Sequence, residues 1–502
     1  MSMNTYGNIS VLPVEVIEKI FLYLSANDKL NVSLVCKQWL NIIDQPKLLR
    51  NLLVFVKYNT TCIIHSTFTR NFSHFIFDDL DITFECVNFF LKHGQYIKFI
   101  AFKNCSIELK AESGCKNLNI CPNLESLEFE DCFLDIFYHL PCLKELSVSS
   151  EETFSITDRV LYVFQKTMPH LERFVLHHPA ASANVVIKRF YPRQKKWTER
   201  PSDLILTLPA IRDFVHTRSK TLIHLSIRNK DMQPNYALSL FKSEHFKLRR
   251  LFLNKLFECV NIIPQICQYQ TSLTELHLTC LQISDAAIKL ICSILPSLEA
   301  FTMQNNLLLD SSIVDIFQLK CLQTLGLESC SNIRLESFNN ALKVFQLHNL
   351  RSLDLSSTKP DDECVRNVLR LTPKLWSLNL SSCLCISDET VHIICVKLHM
   401  LRFLALSGCK NVTDSGLISS QEPKVSLSNI KGLRELHLKM CPKITVNGLL
   451  ESVKFLELQS LHIQNNEFNV LDTMQRLKTQ NPSLRFDPFL LAEKRQNMLY
   501  PY

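Results

Sequence analysis

The sequence predicts an α/β solenoid: a small helical module at the start, then stacked strand-and-helix repeats, with parallel strands inside and helices outside. Three observations carry this. One pattern, L-x-x-L-x-L, recurs about every 25–26 residues through most of the 502-residue chain. Between its copies a second apolar pattern falls at the helical spacing i, i+3, i+4, i+7. The opening residues 9–45 follow no such repeat and hold helical stripes of their own.

Clear copies begin at Leu124 (LESLEFEDC), Leu273, Leu322, Leu350, Leu375, Leu401 and Leu433. Weaker ones begin at Ile97, Leu143, Leu171, Leu222, Leu248, Leu298 and Leu458. The alternating L-x-L makes a short strand with one buried face. In the segment after Leu380, Val391, Ile394, Cys395 and Leu398 make a helix stripe, and Ser387-Asp388 stand before it as caps. One unit alone cannot bury both its strand face and its helix face. Stacked units can, so one continuous solenoid is expected.

Period and consensus resemble those of leucine-rich repeats. The residue after the strand resembles the cysteine-containing subclass, L-x-x-L-x-L-x-x-C-x-x-(I/V)-(S/T)-D. Ser407–Leu417 (SGCKNVTDSGL) and Ser381–Val391 (SSCLCISDETV) match almost fully. The cysteine position is filled by Cys105, Cys132, Cys280, Cys330, Cys383, Cys409 and Cys441. A cysteine there reads as a small buried hydrophobe, reduced and unreactive. On that reading serine is a worse replacement than alanine, because it buries a hydroxyl. The resemblance implies a curved, right-handed coil.

In the opening module Pro13 suits the start of a helix, and Ile17, Ile20, Phe21 and Leu24 follow at helical spacing. Ser25, Asn27 and Asp28 end that helix and cap a second. Leu30, Leu34 and Val35 continue an apolar face, followed by Trp39. About 40 residues cannot bury that much apolar surface alone, so the module is expected to dock on something. Leu12-Pro13, Glu15, Ile17, Ile20, Leu24, Leu34-Val35-Cys36-Lys37 and Trp39 resemble an F-box. That resemblance implies a Skp1-type adaptor and, through it, a cullin–RING ligase. The expected adaptor contacts are Leu12, Pro13, Ile17, Ile20, Leu24, Leu30, Val35 and Trp39.

The layout resembles the F-box/leucine-rich-repeat family. It implies the substrate-recognition subunit of an SCF ubiquitin ligase, with no chemistry, catalytic residue or cofactor of its own. The alternative is a binding scaffold built from the same parts without a role in ubiquitin transfer. Expected boundaries are 8–50 for the F-box, 51–96 for degenerate capping repeats, 97–483 for the solenoid and 484–502 for a tail. Between Leu171 and Leu222 the spacing is 51 residues, about two periods, and a basic insertion at about 178–205 carries six Lys/Arg from Lys188 to Arg200.

Composition excludes several alternatives. Glycine is 8 of 502 residues, against a usual ~7%, and no two stand close enough for a phosphate-cradling loop. HExxH, GxSxG and CxxC are all absent from the sequence. The nearest metal-like spacing, His392, Cys395 and His399, sits in an apolar helical run and reads as core, so no metal is expected. A net charge of +7 is mild for this length and does not point to nucleic acid. The longest uncharged run, Cys259–Thr274, is 16 residues and too polar for a bilayer. Glu15, Glu18 and Lys19 break any leader-like apolar start. Cytoplasmic or nuclear residence is expected.

Alternate strand residues should point out of the strand onto the inner, concave face. They begin acidic, with Ser126, Glu128, Glu130 and Glu145, and end with Glu435, His437 and Lys439. Ser352, Asp354, Ser356, Ser377, Asn379, Ser381, Ala405 and Ser407 are small, and nearly all are polar. The middle holds Arg173, His177, His224, Arg228, Arg250 and Phe252. With the basic insertion, these are the candidates for capturing an acidic or phosphorylated segment of a protein substrate. Simple solvation, or nuclear targeting by the insertion, would use the same charges.

Overall fold

The computed structural model describes residues 12–486 apart from 25, 50–51, 58–69, 83–86, 110–120, 137–139, 151–155, 178–205, 230–231, 244, 280, 306–309, 331–346, 419–425, 455–457, 465–469 and 483. The chain forms two compact units, residues 1–232 with 243–246, and residues 233–242 with 247–502. Among the described residues no helix is long and apolar enough to cross a membrane.

The first unit opens with four short helices: α1 (Val14–Leu22), α2 (Ala26–Ser33), α3 (Lys37–Ile43) and α4 (Pro46–Leu49). Strands follow: β1 (Leu53–Lys57), β2 (His74–Asp78), β3 (Asp81–Ile82), β4 (Phe99–Lys103), β5 (Ser106–Leu109), β6 (Ser126–Glu130), β7 (Phe133–Ile136), β8 (Glu145–Ser149), β9 (Arg173–His177) and β10 (His224–Arg228). One parallel ladder runs β1-β2-β4-β6-β8-β9-β10. A smaller parallel ladder, β3-β5-β7, lies one turn further along each repeat. Thus β1 and β2, in the stretch without clean consensus, already stack as repeats.

The second unit continues with β11 (Arg250–Asn254), β12 (Glu275–Thr279), β13 (Ala300–Gln304), β14 (Thr324–Glu328), β15 (Ser352–Asp354), β16 (Ser377–Asn379), β17 (Phe403–Ala405), β18 (Glu435–His437), β19 (Ser460–His462) and β20 (Arg485–Phe486). Each pairs in parallel with the next. Register joins equivalent repeat positions: Leu251, Leu276, Phe301, Leu325, Leu353, Leu378, Leu404, Leu436, Leu461 and Phe486 form one buried row. This shared register is what the recurring L-x-x-L-x-L encodes.

Three devices stitch the repeats together. The first is the row of leucines. The second is the cysteine. Thiols of Cys105, Cys132, Cys330, Cys383, Cys409 and Cys441 are buried and donate to main-chain carbonyls of the preceding repeat, at 3.1 Å for Cys383 to Leu355 and for Cys409 to Leu380. The cysteines are therefore polar fasteners as well as small hydrophobes. Cys280 lies outside the described residues. The residue just before most of them takes a left-handed conformation, as at Asn104, Asp131, Ser329, Ser382 and Met440 (φ between 50° and 59°), and the same place holds Gly408 at φ 73°.

The third device is an aspartate ladder. The first helical residue of one repeat accepts from the cap residue of the next. Asp158 accepts from the main-chain N and Oγ1 of Thr207, Asp362 from Ser387, Asp388 from Thr413 and Asp414 from Thr445, at 2.6–2.9 Å throughout. The capping threonines and serines thus serve two helices, their own and the one before. Burial opposes charge on Asp362, but hydrogen bonds from Thr390 and Ser387 win and hold its carboxyl below the usual range. Gly416 is required by the same contact: a Cβ there would meet Asp388 Oδ1 at 2.3 Å.

Candidate functional site

Pro13 caps α1 from just outside it; its carbonyl accepts from Val16 and Ile17. Ile17 and Phe21, one turn apart, point inward with Ile42, Ile43, Leu48 and Leu49. Phe21 meets Trp39 edge-to-face at 5.3 Å. Glu18 is buried and pairs with Lys47 of α4. Arg70 ties the helices to the strands that follow, its guanidinium 2.9 Å from both Asp44 and Ser33 Oγ.

That core leaves much apolar surface outside. Leu12, Val14, Val16, Ile20 and Leu22 are exposed along α1, and Tyr23 is 91% exposed just after it. Leu34 is 83% and Val35 62% exposed at the end of α2. Of the residues expected to contact an adaptor, Leu12, Pro13, Ile20 and Val35 are exposed, and Leu24 and Trp39 are half-buried. Ile17 is a correction: it is fully buried in the module's own core and offers no surface. Helical spacing placed Ile17, Ile20, Phe21 and Leu24 in one stripe, yet the fold divides that stripe between inside and outside. The side chain of Leu30 lies outside those described. Val16 and Tyr23, which the helical stripe did not include, are exposed beside Ile20.

Residues 9–54 match the family model for an F-box-like domain. The chain joins an F-box-like domain to leucine-rich repeats. F-box/LRR-repeat protein 4 of Bos taurus is 32% identical over 140 residues, 27% of this chain and 21% of that protein. The chain therefore spans about a fifth of the length of that curated relative. Among solved structures, the Rad7–Elc1 complex of yeast contains a chain similar with a TM-score of 0.48 at 15% identity, covering 81% of this chain and 83% of that one. A leucine-rich-repeat protein of Leptospira interrogans gives 0.34 at 15% identity, covering 86% and 99%.

The candidates for substrate capture fall in both units. In the first, β9 and β10 pair so that Arg173 stands opposite His224, and His177 opposite Arg228. Arg173 lies 3.5 Å from Glu145. His177 Nε2 is 2.8 Å from Ser226 Oγ, and burial, with Arg228 and Arg173 beside it, lowers the imidazole below its usual range. His224 corrects the alternation rule: it is buried, because β10 is covered over its first four residues and so shows no open face there. In the second unit Arg250 pairs with Glu275 at 2.9 Å. Phe252 stacks on His277 with ring centroids 3.9 Å apart. His277 Nδ1 is 2.6 Å from Thr302 Oγ1, and burial, helped by Arg250, pushes it down to about 4. Arg173 and Arg250 thus each already face a carboxylate on the neighbouring strand of their own unit. The basic insertion, Lys188–Arg200, lies outside the described residues.

Other features escaped the sequence reading. Trp376 is flanked by the guanidinium groups of Arg351 and Arg402, 5.1 Å and 4.9 Å from its ring, from the repeats on either side. These three occupy one repeat position, so register was the signal. Glu435, His437 and His462 converge on β18 and β19. His462 was not singled out because its repeat copy, from Leu458, is weak. His392, Cys395 and His399 do not converge: Cys395 is buried, His399 is exposed and His392 bonds the Ser415 carbonyl.

Proposed function

We propose that this chain is a substrate-recognition subunit of an SCF-type ubiquitin ligase. The F-box-like helices would hold a Skp1-type adaptor, and through it a cullin–RING ligase. The repeats would hold a protein target. The chain would contribute no chemistry of its own; it would raise the effective concentration of target beside the ubiquitin-carrying enzyme.

The observation that carries this reading is the exposed apolar side chains of the module: Leu12, Val16, Ile20 and Tyr23 along and beside α1, and Leu34 and Val35 after α2. These side chains stand in water on a module whose core is already filled by Ile17, Phe21, Ile42 and Ile43. Burying a leucine or valine at a partner recovers about 1.5–3 kcal/mol, and so many large apolar side chains exposed on so small a module favour an interaction surface. For the target, the proposed contacts remain Arg173, His177 and Arg228 on one unit and Arg250 and Phe252 on the other, with His224 set aside by its burial.

The test is co-purification of Skp1-type adaptor and cullin with the full chain, wild type against Leu34→Asp/Val35→Asp. Both positions are exposed, so the variant should fold. Loss of both partners is the expected result. Retention of adaptor by the variant would refute the assignment of this surface. Adaptor binding without ubiquitin transfer to any bound target would favour a scaffold.

A further inference from the structure

We propose that Glu435, His437 and His462 form a binding site for a divalent transition-metal ion of the zinc class. The three donors sit on adjacent strands. Glu435 and His437 are alternate residues of β18, and His462 stands opposite His437 on β19. His437 Nε2 lies 2.7 Å from Glu435 Oε1, and His462 Nε2 lies 3.8 Å from the same oxygen. All the donor atoms fall within 4.8 Å of one another. Tetrahedral zinc with ligands at ~2.0–2.1 Å separates its donors by about 3.3 Å. The two separations from the Glu435 oxygen straddle that value and no donor pair exceeds 4.8 Å, so side-chain rotation alone brings the three together.

The surroundings hold the rings in place. The two imidazoles lie 4.0 Å apart, and Phe403 packs edge-on against His437 at 5.0 Å. Ser460 Oγ is 3.0 Å from His462 Nε2. It is close enough to hydrogen-bond a metal-bound water once the nitrogen is ligated. Ala405 stands opposite His437 on β17 and adds no donor of its own. All three ligands are half-buried, so solvation is reduced without sealing the site.

The donor set selects the ion. Two imidazoles and one carboxylate suit Zn²⁺, Co²⁺, Ni²⁺ or Cu²⁺. Ca²⁺ and Mg²⁺ require more oxygen ligands than this site supplies. Three protein ligands leave an open position for water. Binding requires both ring nitrogens deprotonated, so affinity falls as pH is lowered.

The test uses the full chain, stripped with chelator, reduced and titrated with Co²⁺ and then Zn²⁺. Expected are one equivalent of Co²⁺ with visible bands of tetrahedral N/O coordination, lacking the intense near-ultraviolet thiolate band, and its displacement by Zn²⁺. His462→Phe, which keeps a ring in the stack, and Glu435→Gln should each weaken binding at least tenfold, as even outer-shell changes can. Circular dichroism checks that both variants fold. The proposal is overturned by no saturable binding, by a thiolate spectrum pointing to cysteines, or by unchanged affinity in both folded variants.

Discussion

Replacing Asp388 by alanine tests the aspartate ladder directly. The carboxylate accepts from the main-chain N and the Oγ1 of Thr413, both at 2.7 Å. Hydrogen bonds to a charged group contribute about 1.5–3 kcal/mol each, and an abandoned buried donor costs about 1–3. Part of this is recovered by water, since the pair is only part-buried. A loss of about 2–4 kcal/mol in the stability of the second unit is expected. Asp388→Asn keeps an acceptor but loses the charge, and should cost about half as much. Gly416 supplies an internal control. A methyl there meets Asp388 Oδ1 at 2.3 Å and the Asp388 Cα at 3.1 Å. Gly416→Ala should therefore destabilise the wild type and do less harm in the Asp388→Ala background, where the nearer obstacle is gone. Urea unfolding followed by circular dichroism reads all four corners of this cycle. Additivity within about 0.5 kcal/mol, or a cost below about 1 kcal/mol for Asp388→Ala, would refute the ladder as an inter-repeat fastener.

Three further expectations follow from the same geometry. Cys409→Ser should cost about 1 kcal/mol and Cys409→Ala about 2, reversing the order read from sequence, because serine still has the Leu380 carbonyl to donate to; equal unfolding midpoints would contradict this. In the native protein an alkylating reagent should label exposed Cys36, Cys142, Cys321 and Cys385 but spare Cys383, Cys395 and Cys267, whose thiols burial pushes up to about 11 or 12, as peptide mass spectrometry would show. Acid should destabilise the second unit: His277 folds neutral, so its contribution is complete above the ordinary 6.5, falls between there and about 4, and amounts to about 3 kcal/mol at most. His277→Gln should flatten that part of the pH–stability curve.

The repeats were legible because L-x-x-L-x-L states both the strand and its register, and Leu353, Leu378 and Leu404 stack as that pattern requires. What the pattern omits are contacts between equivalent positions of neighbouring repeats. The Asp388–Thr413 bond, the Arg351–Trp376–Arg402 stack and the Glu435–His437–His462 cluster each join residues of neighbouring repeats 25–27 apart that no local period links. Aligning copies column by column, including the weak copy at Leu458, would have shown all three. His224 was misread for a different reason. Strand alternation assumes one open face, and β10 has none over its first four residues. In the helical module Ile17 was misassigned because Ile17 and Ile20 lie on one broad apolar side of α1, and hydrophobicity alone does not say which part of that side is covered.

The left-handed turn ahead of each cysteine has a consequence for engineering. Glycine would adopt it freely, yet among the described residues only Gly408 does so, while Met440 at φ 56°, Ser329 at 56° and Ser382 at 59° hold it with side chains attached. Each such residue strains the backbone by roughly 1 kcal/mol. Met440 is also largely exposed, so glycine there gives up little packing. Substituting glycine or asparagine at these three turns offers a route to a sturdier array that alters no strand face and no helix. That margin recurs, among the described residues, at the turn ahead of Cys330, Cys383 and Cys441.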